Sequence, residues 1–249
     1  LMVAITSTML DEDSPYASSM NALYEKVTSN TLGLSTNRSV VLNMLWQPYL
    51  AYEDNSTYKM LLNGFDGNLD DDSYFAKLNR AYREMTEEER ANGDRDQWLI
   101  RMSSKVVGKD LTDFYEAHGI VANATTLEYV SQFPKETKKI QYINDEARRR
   151  RMAGTADMEA GTTLSAEFGT DSKGNTITDG SYVNDKKVSI NLSVDKSNDN
   201  ILGYEIYRNG EPCGFIVRNK YGEETVYTDV VDNINNRVVE YSAIAYDYN

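Results

Sequence analysis

Histidine and cysteine are nearly missing from this chain of 249 residues, which carries one of each, His118 and Cys213. A lone cysteine excludes an internal disulfide and a thiolate metal cluster. A lone histidine excludes a two-histidine zinc site of the His-Glu-x-x-His kind and leaves no basis for a Ser-His-Asp arrangement. No glycine-rich loop of the phosphate-cradling type precedes a helix, so nucleotide binding has no support. No apolar run approaches the roughly 18 residues that span a bilayer. Positive charge is the scarcer sign: 26 Lys and Arg face 39 Asp and Glu, for a formal net charge of −13. Such a chain repels phosphate backbones, which argues against nucleic acid and anionic membranes as partners. The opening Leu1-Met2-Val3-Ala4-Ile5 lacks the basic region of a signal peptide. It reads as the start of a piece of a longer protein, with any export signal upstream.

What is present is ordinary globular composition, 40% hydrophobic and 26% charged, and enough length for one large domain or two smaller ones. The hydrophobic period changes along the chain. Residues 1 to 156 read as helices. Thr86-x-x-Glu89, Asp94-x-x-Gln97 and Thr125-x-x-Glu128 fit capping-box starts. Phe75, Leu78 and Tyr82 fall at helical spacing after a cap at Asp72 or Ser73, and a further helix over Ser39 to Tyr52 is expected to kink or restart at Pro48. From about residue 160 the period is two. Lys187 to Val194 alternates without a break, and Gly203 to Arg208 leads into a tight Asn209-Gly210 turn. Further strands are expected over Cys213 to Arg218, Thr225 to Asp229 and Arg237 to Tyr246. The fold class is therefore α + β and multidomain: an all-α helical subdomain over 1–156, then an antiparallel β-sandwich over 157–249, joined near Ala153-Gly154-Thr155-Ala156-Asp157. The chain stops at Asn249, about where a last strand would begin.

Candidate chemistry is sparse. Residues 103 to 120 read as a helix end, a capped restart at Asp110 and a short helix stopped by Gly119, which makes His118 a C-terminal cap or a half-buried surface residue rather than a catalyst. Asp66, Asn68 and Asp70 alternate as in a calcium loop, but the positions that should be glycine and glutamate are Asp71 and Lys77, so a solvated loop is the better reading. Asp195, Ser197 and Asp199 form a second alternating set. Nothing singles out a carboxylate pair for glycoside hydrolysis. Arg148 to Arg151 suit the last turn of a helix, where cations complement the dipole. The aromatic residues Trp46, Tyr49, Tyr52 and Tyr58 fall close together. Such rings stack on sugars or fill a helix core, and Trp46, Tyr49 and Tyr52 are the candidate substrate-binding residues. No catalytic or metal-ligating residue is assigned.

The helical half resembles a known family. Leu45-Trp46-Gln47-Pro48-Tyr49-Leu50-Ala51-Tyr52, Tyr74-Phe75-x-x-Leu78-x-x-x-Tyr82-Arg83 and Trp98 are similar to the region downstream of the active site in enhancin-like, mucin-targeting zinc metallopeptidases. Gly108, Asp110, Leu111, Phe114, Tyr115 and Gly119 match a Ser-x-Val-x-Gly-x-Asp-Leu phrase with its following aromatic pair, and His118 stands where the family commonly has tryptophan. The resemblance covers about residues 1 to 145. It implies zinc held by the two histidines of His-Glu-x-x-His and a later glutamate, all upstream of Leu1, so this chain carries no cofactor of its own and is inactive alone. The β half resembles a fibronectin type III or immunoglobulin-like module through Tyr204 to Gly210 and Tyr241 to Asp247. Together these imply a secreted or surface-bound bacterial metallopeptidase that meets a mucin or glycoprotein as a monomer. The alternative is a non-enzymatic glycan- or host-binding surface module using the same aromatic residues.

Overall fold

The computed structural model describes residues 38–53, 74–143, 145–180, 187–196, 200–218, 225–230 and 238–249. It holds seven α-helices and two antiparallel three-stranded sheets among these residues, an α + β chain. They form two compact units, which divide between Ala153 and Gly154. The sequence candidates at Tyr58, at Asp66 to Asp72 and at Ser197 and Asp199 lie outside the described residues.

In the first unit, α1 (Arg38–Tyr52) runs unbroken through Pro48, where a kink or restart is expected from sequence. The proline removes one helical hydrogen bond, and the buried neighbours Trp46, Gln47, Tyr49 and Leu50 hold the helix in register around it. Then come α2 (Tyr74–Arg83), α3 (Glu87–Arg90), α4 (Arg95–Val107), α5 (Thr112–Ala117), α6 (Ala124–Val130), a 3₁₀ turn at Ile140–Tyr142 and α7 (Asp145–Ala153).

The helix starts are mostly where local hydrogen bonding puts them. Thr86 and Glu89 form the full reciprocal capping box of α3. Asp94 caps α4 by accepting from the N–H groups of Asp96 and Gln97. Gln97 does not complete a box; its amide donates to the Val121 carbonyl and accepts from Asn123 N–H. Asn123, not Thr125, caps α6, its side-chain oxygen taking Thr126 N–H at 2.8 Å. Asparagine is at least as good an N-cap as threonine, and its amide is also fixed by a bond to the Asn92 carbonyl. Gly108 ends α4 in the left-handed conformation at φ 70°, a geometry that favours glycine.

In the second unit, β1 (Leu164–Phe168), β2 (Lys187–Val194) and β5 (Thr225–Val230) form one sheet in the order β1-β2-β5. β4 (Glu211–Val217), β3 (Ile201–Arg208) and β6 (Tyr241–Asp247) form the other, in the order β4-β3-β6. Strand β1 alternates Leu164, Ala166 and Phe168 with Ser165 and Glu167, a signal too short to stand out before its pairing with β2 is known. Val188, Ile190 and Leu192 of the first sheet and Ile201, Tyr204 and Ile206 of the second share one buried core. At Gly214 a Cβ would come within 2.8 Å of Cε2 of Tyr227, a ring from the other sheet. Gly214→Ala is therefore expected to lower stability by about 1–3 kcal/mol through overpacking. Urea unfolding of the parent chain, G214A, Y227L and G214A/Y227L checks this: the alanine should cost less in the Y227L background, and an equal cost in both backgrounds would refute crowding by the Tyr227 ring.

Candidate functional site

The last two turns of α1 carry the three candidate aromatic residues, at positions 46, 49 and 52, three residues apart and so along one side of the helix. The structure separates their roles. Trp46 and Tyr49 are each 2% exposed. Their rings sit 4.9 Å apart, and Tyr49 stacks on Phe75 of α2 at 5.3 Å, with Tyr74 edge-on to Phe75. The guanidinium of Arg148, from α7, lies 5.5 Å from the Tyr49 ring centroid, within the range of a cation–π attraction. These two rings are packed as core.

Tyr52 is half-buried, and its hydroxyl donates to Glu136 Oε2. Glu136 is fixed from its other side, where Oε1 accepts the N–H groups of Thr137 and Lys138, both at 2.8 Å. The strand-like stretch before it is pinned to the start of α5: Asp110 N–H donates to the Pro134 carbonyl and Glu136 N–H to the Asp110 carbonyl. Burial works to raise the Glu136 carboxyl, but the bonds from Tyr52, Lys138 and Thr137 outweigh it and hold it below the usual carboxylate range. Burial, and then the bond to Glu136, push the Tyr52 hydroxyl far above the usual phenol range. The pair is a fixed donor on a fixed anion, suited to orienting a polar ligand and unsuited to proton transfer near neutral pH.

Arg151 lies beside this pair. One of its terminal nitrogens donates to the Glu53 carbonyl at 3.4 Å, and its guanidinium pKa is lowered by burial and by the like charge of Arg148. Glu53 in turn accepts Tyr74 N–H at 2.6 Å, which ties the end of α1 to the start of α2. Sequence reading identifies the basic run at Arg148 to Arg151 but not Glu136, because nothing local marks a glutamate that meets a tyrosine 84 positions earlier.

His118 is the C-cap of α5, as one of its two sequence readings has it, but it is fully buried rather than half-exposed. Its Nδ1–H donates to the Phe114 carbonyl at 2.8 Å and its ring packs 4.6 Å from the Phe114 ring. Burial lowers its pKa to about 4, the bond to Phe114 opposing this only in part, so the imidazole is neutral near pH 7. Asp195 accepts Thr163 N–H at 2.8 Å, a turn contact at an exposed position. Among the described residues, no three His, Cys, Asp or Glu side chains converge as a metal site, and no helix is long and apolar enough to cross a membrane.

No protein-family model matches this sequence, and no curated protein matches it. Solved structures do match. The ZmpB metallopeptidase from Clostridium perfringens is 24% identical over 92% of this chain and 40% of its own, with a TM-score of 0.60. The catalytic module of the metalloprotease ZmpA from the same organism is 23% identical over 99% of this chain and 42% of its own, with a TM-score of 0.62. The M60 catalytic domain of C. perfringens ZmpC, solved in complex with the sialyl T antigen, is 24% identical over 97% of this chain and 42% of its own, with a TM-score of 0.63. This chain thus spans about two fifths of the length of those proteins, and over that span it has the fold of part of an M60 metallopeptidase catalytic module.

Proposed function

We propose that this chain is the C-terminal part of a secreted or surface-bound bacterial zinc metallopeptidase of the enhancin-like, M60 group, acting on mucins or other glycoproteins. The observation that carries this reading is a fold shared with M60 catalytic modules over nearly the whole chain, at TM-scores of 0.60 to 0.63. The resemblance of the α1, α2 and α5 sequences to the enhancin-like pattern supports it independently. The domains follow as a helical subdomain over 1–156 that completes the protease and a fibronectin type III or immunoglobulin-like sandwich over 157–249. The parent acts as a monomer.

The described residues of this chain do not fit a zinc site of their own. The single imidazole is fully buried with Nδ1 committed to Phe114, whereas zinc needs three or four converging donors. On this reading, the metal, its ligands and the general base belong to sequence upstream of Leu1, and no catalytic step is assigned to residues here. The helical subdomain supports that part and contributes to substrate contact through Tyr52, while Trp46 and Tyr49 anchor α1 as core.

The test compares two proteins on an O-glycosylated mucin peptide. One is this chain; the other is the reading frame extended upstream. The extended protein is expected to bind one zinc ion and cleave the peptide, with cleavage lost on chelation, and this chain alone to do neither. An upstream frame without His-Glu-x-x-His would overturn the proposal. Saturable, chelator-insensitive binding of the peptide by this chain alone, with no cleavage by the extended one, would favour a glycan-binding surface module instead.

A further inference from the structure

Two Asn-Gly pairs lie among the described residues, and the structure treats them differently. Asn209-Gly210 is the two-residue turn joining β3 to β4, with both residues in left-handed backbone at φ 53° and φ 83°. Both are exposed, and the space around the Gly210 Cα is open, with nothing within 4 Å of where a Cβ would be. Asn92-Gly93 joins α3 to α4, with Asn92 at φ 49°. There Gly93 N–H donates to the Arg90 carbonyl at 3.2 Å, and the Trp98 ring covers the glycine, its Cδ1 lying 2.8 Å from an ideal Cβ position.

We propose that Asn209 is a site of spontaneous deamidation in the folded protein and that Asn92 is protected from it. In the reaction the Gly210 backbone nitrogen loses its proton and attacks Cγ of Asn209. The C–N bond to the side-chain amide breaks, the departing nitrogen takes back one proton through water and leaves as ammonia, and a five-membered succinimide remains. Water then opens the ring at either carbonyl and gives aspartate or isoaspartate, with no oxidant or cofactor. The attacking nitrogen must be free of a strong hydrogen bond and have room for the ring. Gly210 offers that room. Gly93 does not, because its N–H is engaged and an indole lies against it.

One contact restrains the reaction at Asn209. Its side-chain oxygen accepts Glu240 N–H at 2.9 Å, and its own N–H donates to the Glu240 carbonyl at 2.8 Å. These bonds hold the side chain toward the segment before β6. The restraint acts on the electrophile and opens with local motion of an exposed turn, whereas the protection of Gly93 requires loosening of the Trp98 packing. Aspartate retains an oxygen that can accept Glu240 N–H, but it adds a third carboxylate beside Glu211 and Glu240. Isoaspartate adds a backbone atom to a two-residue turn, and the Arg208–Glu211 pairing across it is lost.

The test is peptide mapping by mass spectrometry of the folded chain after incubation at mildly alkaline pH in ¹⁸O-labelled water, alongside the same chain in concentrated urea. In the folded chain, conversion at Asn209 is expected to run several-fold faster than at Asn92, and in urea the two should converge. Equal conversion in the folded chain, or faster conversion at Asn92, would overturn the proposal. A preference for Asn209 that persists undiminished in urea would overturn it too, because the local sequence and not the fold would then set the rates.

Discussion

Replacing Arg101 by methionine is expected to destabilise the helical unit by about 3 kcal/mol, among the largest effects of any single change in the described residues. Arg101 is fully buried on α4. Its Nε donates to the Thr126 hydroxyl at 2.9 Å, and one terminal nitrogen donates to the carbonyls of Glu89 and Ala91, both at 2.8 Å. Those carbonyls sit at the end of α3, where helical partners run out. A single guanidinium therefore joins α3, α4 and α6. Methionine keeps the stem's volume but leaves three acceptors, two of them buried, without this donor. Lysine should not rescue it, because a point ammonium cannot reproduce the divergent fork that reaches two separate elements. Neighbouring contacts depend on this arrangement: the Glu89 carboxylate accepts Lys105 Nζ at 2.6 Å and the Tyr129 hydroxyl at 2.9 Å. Both tryptophans, Trp46 and Trp98, lie in the helical unit, so urea unfolding followed by tryptophan fluorescence reports on that unit alone. An R101K variant within about 0.5 kcal/mol of the parent chain would refute the role given to the fork.

Acidification supplies the second large effect. The lone histidine titrates near 6.5 when unfolded and near 4 when folded. The folded state thus holds the neutral form, and between these values the unfolded chain binds more protons. Stability is complete above the unfolded value and falls as pH drops from about 6.5 toward 4, by about 3 kcal/mol in all. The carboxyls of Glu89 and Glu136 are both held below their ordinary 4.5. Their contributions are present above that value and fade only below it, so the interval from 6.5 to 4.5 isolates His118 from these two. Urea midpoints read by tryptophan fluorescence should fall steadily through that interval in the parent chain. In H118F, which keeps an aromatic ring beside Phe114 and has no proton to gain, the fall should be absent. Equal slopes in the two proteins would mean that the buried imidazole is not what acid attacks.

The division of labour between sequence and tertiary structure follows the range of the forces. A capping box at Thr86 and Glu89, a cap at Asp94, a left-handed glycine at Gly108 and the Asn209-Gly210 turn each close their hydrogen bonds within a few residues, so the residues themselves specify them. The change from helical to alternating period near residue 160 is legible for the same reason. Asn123 displaced Thr125 as the cap of α6 because two nearby positions, 123 and 125, could both do the work, and the bond to Asn92, 31 positions away, favours the first. β1 became visible only through its pairing with β2.

Pattern alone leaves the candidate site open. Three aromatic residues spaced along one helix face could all meet a ligand or all fill a core. Packing against Phe75 and Arg148 put Trp46 and Tyr49 inside, while the chain's return at Glu136 gave Tyr52 a fixed anionic partner at the edge. The sequence by itself determined where most of the helices and strands begin and that only one imidazole is available to any chemistry here. Which side chains are buried, which carboxylate meets which hydroxyl, and that Arg101 binds three helices were decided by tertiary structure, because those contacts join residues whose separation along the chain carries no local signal.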